Sequence, residues 1–188
     1  RIVDRDPQNT SYRLLYGESL LARGDLEMAT QQYREAITLD PKKTDAYLAL
    51  TSALRAQKKA EEALLVSRQL TKIDPTEAMG WFNVGLLNLE LKQPDSSVRA
   101  FKQAIALRPN YSEAFFNLAL AYEEKGFRED AIQAFKRCAS ISPVLAPDAY
   151  NSLAIIYRKE GLFADAISAH GQAISLRDTS AVFHAARI

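Results

Sequence analysis

A dipeptide ending in proline returns every 34 residues along the chain: Asp6-Pro7, Asp40-Pro41, Asp74-Pro75, Arg108-Pro109 and Ser142-Pro143. Proline lacks the backbone N–H and collides with the preceding helical turn, so it stops a helix where it stands. A period this strict confines each stretch between prolines to one small supersecondary unit, repeated. With the prolines at position 32, the units are 10–43, 44–77, 78–111 and 112–146, the last with one extra residue in the Val144–Pro147 turn. A fifth unit is 147–180, with Asp178 in place of the proline. Residues 1–9 read as the tail of a preceding repeat, and residues 181–188 as the start of a following or capping helix.

Other columns fall into phase. Position 8 is small or nearly so (Gly17, Thr51, Gly85, Ala119, Ala154), and position 20 is small throughout (Ala29, Ala63, Ser97, Ala131, Ala166). Position 27 holds Ala36, Leu70, Ala104, Cys138 and Ala173. Large residues take the complementary slots: Tyr47, Trp81, Phe115 and Tyr150 at position 4, and Tyr33, Phe101, Phe135 and His170 at position 24. Apolar spacing of three and four within each half predicts two amphipathic helices per unit. The small columns let the helices approach while the aromatics fill the gaps beside them. Gly24, Gly126 and Gly161, with Lys58 and Lys92 in the same place, predict a left-handed residue closing each first helix. Thr44, Thr76 and Ser112 are expected to cap the helices that follow. Arg13, Thr51, Asn88 and Ser67 depart from their columns and are expected to weaken individual contacts.

This pattern resembles the tetratricopeptide repeat over residues 10–178, and Trp81-Phe82-Asn83-Val84-Gly85 stands close to that family's opening motif. The resemblance implies an all-α fold, a right-handed α-solenoid of stacked antiparallel helix pairs, with the first helix of every unit lining a concave groove. A lone 34-residue hairpin cannot bury its apolar face, so neighbours must stack. The family role is protein recognition.

Composition narrows the alternatives. The 188 residues carry 24 Lys+Arg against 23 Asp+Glu, without the basic excess of a nucleic-acid or anionic-membrane binder. Cys138 is the single cysteine, so no internal disulfide forms, and its small-residue slot predicts a buried, inert thiol. No run of 18 apolar residues occurs, and no direct membrane insertion is expected; the compartment stays open. The chain begins at Arg1 and reads as a piece of a longer array. His170 and His184 are the only histidines, and no metalloprotease, phosphate-loop or nucleophile-elbow motif is present. No enzyme activity, cofactor or metal is expected, and the pairs Glu61-Glu62 and Glu123-Glu124 read as solvated helix faces.

In the family architecture, positions 5, 6 and 9 of the first helix face the groove and are not needed for packing. Here they carry Leu48, Phe82, Leu86, Phe116, Leu120 and Ile155, an apolar strip of the kind that marks a binding surface. Asn83, Asn117 and Asn151 flank it, and an amide ladder can grip the backbone of an extended peptide. Glu90, Glu113, Glu123, Glu124 and Asp148 tilt the groove acidic. The expected partner is therefore a protein or peptide with apolar anchors and some basic residues. In chaperone-binding members a dicarboxylate clamp uses lysines and arginine that here fall on Leu14 or Leu48 and on Met79 or Glu113, so an acidic chaperone tail is disfavoured in that groove. Self-association through open ends, or substrate presentation to an enzyme domain elsewhere in a parent chain, are the alternatives. RNA reading by the related 35-residue repeat fits neither the spacing nor the charge.

Overall fold

The computed structural model describes residue 6 and residues 8–185, with side chains up to 177. Among these there are ten helices and no strand. The chain divides into two compact units, Arg1–Leu107 and Arg108–Ile188.

The first unit holds α1 (Thr10–Ala22), α2 (Leu26–Leu39), α3 (Thr44–Ala56), α4 (Ala60–Ile73), α5 (Ala78–Glu90) and α6 (Pro94–Leu107). Consecutive helices pack as hairpins, and each hairpin leans on the next through α2 on α3 and α4 on α5. First helices also meet first helices, α1 with α3 and α3 with α5, whereas the second helices stand further apart. The unit therefore curves with its first helices inside and its second helices splayed outside. The second unit holds α7 (Ser112–Lys125), α8 (Arg128–Ile141), α9 (Ala146–Lys159) and α10 (Phe163–Ala185), packed in chain order.

Columns 8 and 24 form the joint of each hairpin. A Cβ on Gly17 would lie 2.4 Å from the Tyr33 ring, and one on Gly85 would lie 2.6 Å from the Phe101 ring. Both rings are fully buried. In the second repeat the joint is rebuilt: Thr51 replaces the glycine and Ser67 replaces the aromatic. The two hydroxyls, both buried, hydrogen-bond at 3.1 Å. The two departures thus compensate each other instead of weakening the contact. Arg13, in an aromatic column, pairs with Glu35 and donates to Gln32 Oε1 at 3.1 Å. The Tyr33 hydroxyl finds no partner among the described residues, and burial, with Glu18 nearby, pushes its pKa up to about 12.

The left-handed closures stand at Gly24, Gly126 and Gly161 (φ 75° to 81°) and also at Lys58 (φ 60°) and Lys92 (φ 57°). The caps differ from expectation. Thr44 and Ser112 are the first residues of α3 and α7 and cap nothing. Instead the aspartates of the second and third Asp-Pro steps fold the turn: Asp40 Oδ1 accepts from Lys42 N and Asp74 Oδ1 from Thr76 N, both at 3.0 Å. Side-chain and backbone bonds from Thr76 hold the Asp74 carboxyl below its usual pKa. With Asp178 where a proline would stop it, α10 runs unbroken to Ala185, so 181–185 continue that helix; residues 186–188 and most of 1–9 lie outside the described residues.

Candidate functional site

In the first unit the groove positions lie on α3 and α5. Leu48 is half-buried and packs on the apolar core. Phe82 and Leu86, four residues apart on α5, are also half-buried, and Asn83 beside them is 8% exposed. In the second unit Phe116, Asn117 and Leu120 share α7 and are half-buried, while Asn151 and Ile155 lie on α9, Ile155 being 41% exposed.

Two expectations need correction. The aromatic residues of the strip take part in packing after all: Phe82 sits 5.7 Å, centroid to centroid, from the buried Phe101, and Phe116 meets the buried Phe135 edge-on at 5.2 Å. Each ring covers the aromatic of column 24 in its own repeat, so truncation costs stability as well as surface. The asparagines also have prior engagements. Asn117 Nδ2 donates to Glu113 O at 2.8 Å, and Asn151 Oδ1 lies 3.0 Å from Nδ1 of His170, which is exposed rather than in the core. Only Asn83 has no hydrogen bond to another described residue.

The acidic tilt is smaller than composition suggests. Glu90 accepts from Arg55 at 2.6 Å, Asp148 from Arg177 at 2.7 Å, and Lys159 Nζ lies 3.7 Å from Glu123. Such part-exposed pairs contribute little stability, but they lower the local field. Lys159, with Arg158, is expected at one end of the groove from sequence, whereas Arg55 and Arg177 lie on neighbouring helices and carry no marker in the sequence.

Cys138 is fully buried, and burial, with Glu113 adding to it, pushes the thiol up to about 11, so it stays protonated at neutral pH. No group of three His, Cys, Asp or Glu able to hold a metal occurs among the described residues. No helix among them is long and apolar enough to cross a membrane. A cleft on the outer side of α5, which no sequence motif signals, is lined by Arg68, Trp81, Asn88 and Arg99.

Family models described as the tetratricopeptide repeat match residues 17–54, 89–126, 112–144 and 149–181. No curated protein matches by sequence. Among solved structures, the chain resembles MamA with 25% identity and a TM-score of 0.82, over 88% of this chain and 96% of that one. YrrB, a TPR protein with an unusual peptide-binding site, is 19% identical with a TM-score of 0.74, over 99% and 96%. The Pseudomonas aeruginosa protein pilF is 22% identical with a TM-score of 0.77, over 92% and 78%.

Proposed function

We propose that this chain, which belongs to the tetratricopeptide repeat family and is a protein-interaction scaffold, holds a peptide segment or helix on the faces of its first helices. The observation that carries the reading is the half-buried apolar row Leu48, Phe82 and Leu86 on the inside of the first unit's curve. Leu48 and Phe82 also pack inward, so the part of the row that packing does not account for is chiefly Leu86. In the second unit Phe116, Leu120 and Ile155 offer a similar surface, with Ile155 the most open. Asn83 supplies an amide for a peptide backbone. Exposed Glu113, whose carboxylate accepts from the Ser112 hydroxyl at 2.9 Å, is an acid placed to attract basic residues in the partner, which enters by apolar anchors first. That YrrB is a peptide-binding relative in fold supports the same mode.

Peptides selected from a random displayed library against the chain test this. Leu86→Asp with Leu120→Asp should weaken the selected peptides at least about tenfold while the circular dichroism of the helices persists. Undiminished binding by that variant would remove the inner face from consideration.

A second reading, self-association, has its own observation. Phe163, Ile167 and Ile174 share one face of α10 and are 64%, 73% and 61% exposed. Positions four and eleven apart lie on a single helical stripe, and such a stripe in water favours a second copy. Light scattering across a hundredfold concentration range, with Ile167→Lys as control, discriminates: a monomer throughout discards it.

A further inference from the structure

The splay of the second helices leaves a cleft of about 480 Å³ between α4 and α6, floored by α5. That volume falls within the roughly 300–1,000 Å³ of sites that take small ligands. Trp81, Val84 and Ala100 give it an apolar wall, Arg68, Arg99 and Lys102 give it cations, and no acidic residue lines it. The Arg68 guanidinium makes no hydrogen bond or ion pair with another described residue, and among these the Arg99 guanidinium reaches only the Ser96 hydroxyl, at 3.1 Å.

The chain itself shows what such a guanidinium takes. One repeat earlier the same two columns hold Arg34, on α2, and Glu62, on α4, and they are joined in an ion pair. In the third repeat the column of Glu62 carries Ser96, so Arg68 faces a hydroxyl-bearing residue where Arg34 faces a carboxylate. Space for a replacement carboxylate comes from Asn88. Its column is otherwise Leu20, Leu54, Tyr122 and Tyr157, and the amide, much shorter than the tyrosines, is fully buried with Nδ2 bonded to Val84 O at 2.6 Å and Oδ1 without a partner among the described residues. In the fifth repeat, where Tyr157 fills that column, the cleft over Leu153 and Tyr157 is about 150 Å³, a second of about 430 Å³ lies beside it toward Gly171 and Ser175, and Asp165 and Ser168 stand where Ser96 and Arg99 do.

We infer that the outer cleft of the third repeat binds an acidic peptide, a side-chain carboxylate taking on Arg68 and Arg99 the place that Glu62 takes on Arg34, with an adjoining apolar residue against Trp81. The site is separate from the inner face and carries the opposite charge preference. The scaffold would thus hold two different segments on its two sides.

Trp81 is the chain's single tryptophan and lines the cleft, so its fluorescence reports occupancy directly. The probe is acetyl-Leu-Glu-Leu-Glu-amide, with the Leu-Lys-Leu-Lys counterpart and inorganic phosphate as comparisons. The acidic peptide should change the emission saturably and more weakly as salt is raised; the lysine peptide should not. Ser96→Glu, which restores the internal carboxylate, and Asn88→Tyr, which refills the cleft, should each lower the affinity at least about tenfold. Both residues occur natively at their columns in other repeats, and circular dichroism verifies the fold; Asn88→Phe substitutes if the tyrosine variant does not fold. Leu86→Asp with Leu120→Asp should leave this binding unchanged, which separates its fate from that of the inner face. No saturable response, equal response to the lysine peptide, unchanged affinity in Ser96→Glu and the cleft-filling variant, or saturation by phosphate alone at the same concentration would each overturn the assignment.

Discussion

The third and fifth repeats use the same columns to make different surfaces. At the joint of the hairpin the third has Gly85 under a buried Phe101, and the fifth has Ala154 near an exposed His170. On the outer side the third has Asn88 and a cleft of about 480 Å³, and the fifth has Tyr157 at a cleft of about 150 Å³ with a second of about 430 Å³ toward Gly171. At the turn the third closes on Lys92 (φ 57°) and the fifth on Gly161 (φ 77°). The fifth is nearer to what stability alone would choose at the last two places. The third gives up packing and backbone ease around its outer face, and a repeat that does so while keeping a tight ring-on-glycine joint is built around a surface.

The joint offers the hardest test of that contrast. Gly85→Ala forces a methyl into the Phe101 ring and should destabilise by about 1–3 kcal/mol, which thermal melting would read as a drop of several degrees. In the fifth repeat the reverse change, Ala154→Gly, removes a methyl without any such collision and should cost about 0.5–1 kcal/mol from helix propensity. Equal effects would mean that the joint does not distinguish the two repeats. The cleft comes next. Asn88→Leu, which keeps the shape of the side chain, removes a buried acceptor that has no partner among the described residues, and melting should improve by about 1–2 kcal/mol. A loss of stability instead would show that Asn88 is needed for packing and that the cleft is a by-product.

The hairpins and their joints were legible because columns 8, 20 and 24 recur in phase and their physical reason lies within one repeat: a ring needs a gap, and Gly17 or Gly85 makes one. Thr51 and Ser67 were harder, since each looks like damage until both are placed at one contact. The inner face was legible as to position but not as to duty. Phe82 and Phe116 lie where a groove lies, yet their edges also cover Phe101 and Phe135, and no spacing distinguishes a ring that does one thing from a ring that does two. Charge was the least legible feature. Whether Glu90 or Asp148 acts on a partner depends on Arg55 and Arg177, which arrive from elements 35 and 29 residues away. The outer cleft drew on columns 4, 11, 19 and 25 at once, across three helices, and a departure such as Asn88 acquires meaning only when all four are read together.

The turn gives the finest discrimination. A left-handed backbone sets Cβ against the following carbonyl for any residue but glycine, at about 1 kcal/mol. Lys92→Gly should therefore stabilise the third repeat by about that amount, and Gly161→Lys should destabilise the fifth by a similar amount, with open space around Gly161 leaving no other cause for the loss. The two residues lie in different units, so their effects should add. Chemical denaturation of the single and double variants measures both terms. If Lys92→Gly gives no gain, the lysine side chain, which does interact with its surroundings, repays the strain of its backbone, and the third repeat is optimised at its turn as well as at its joint.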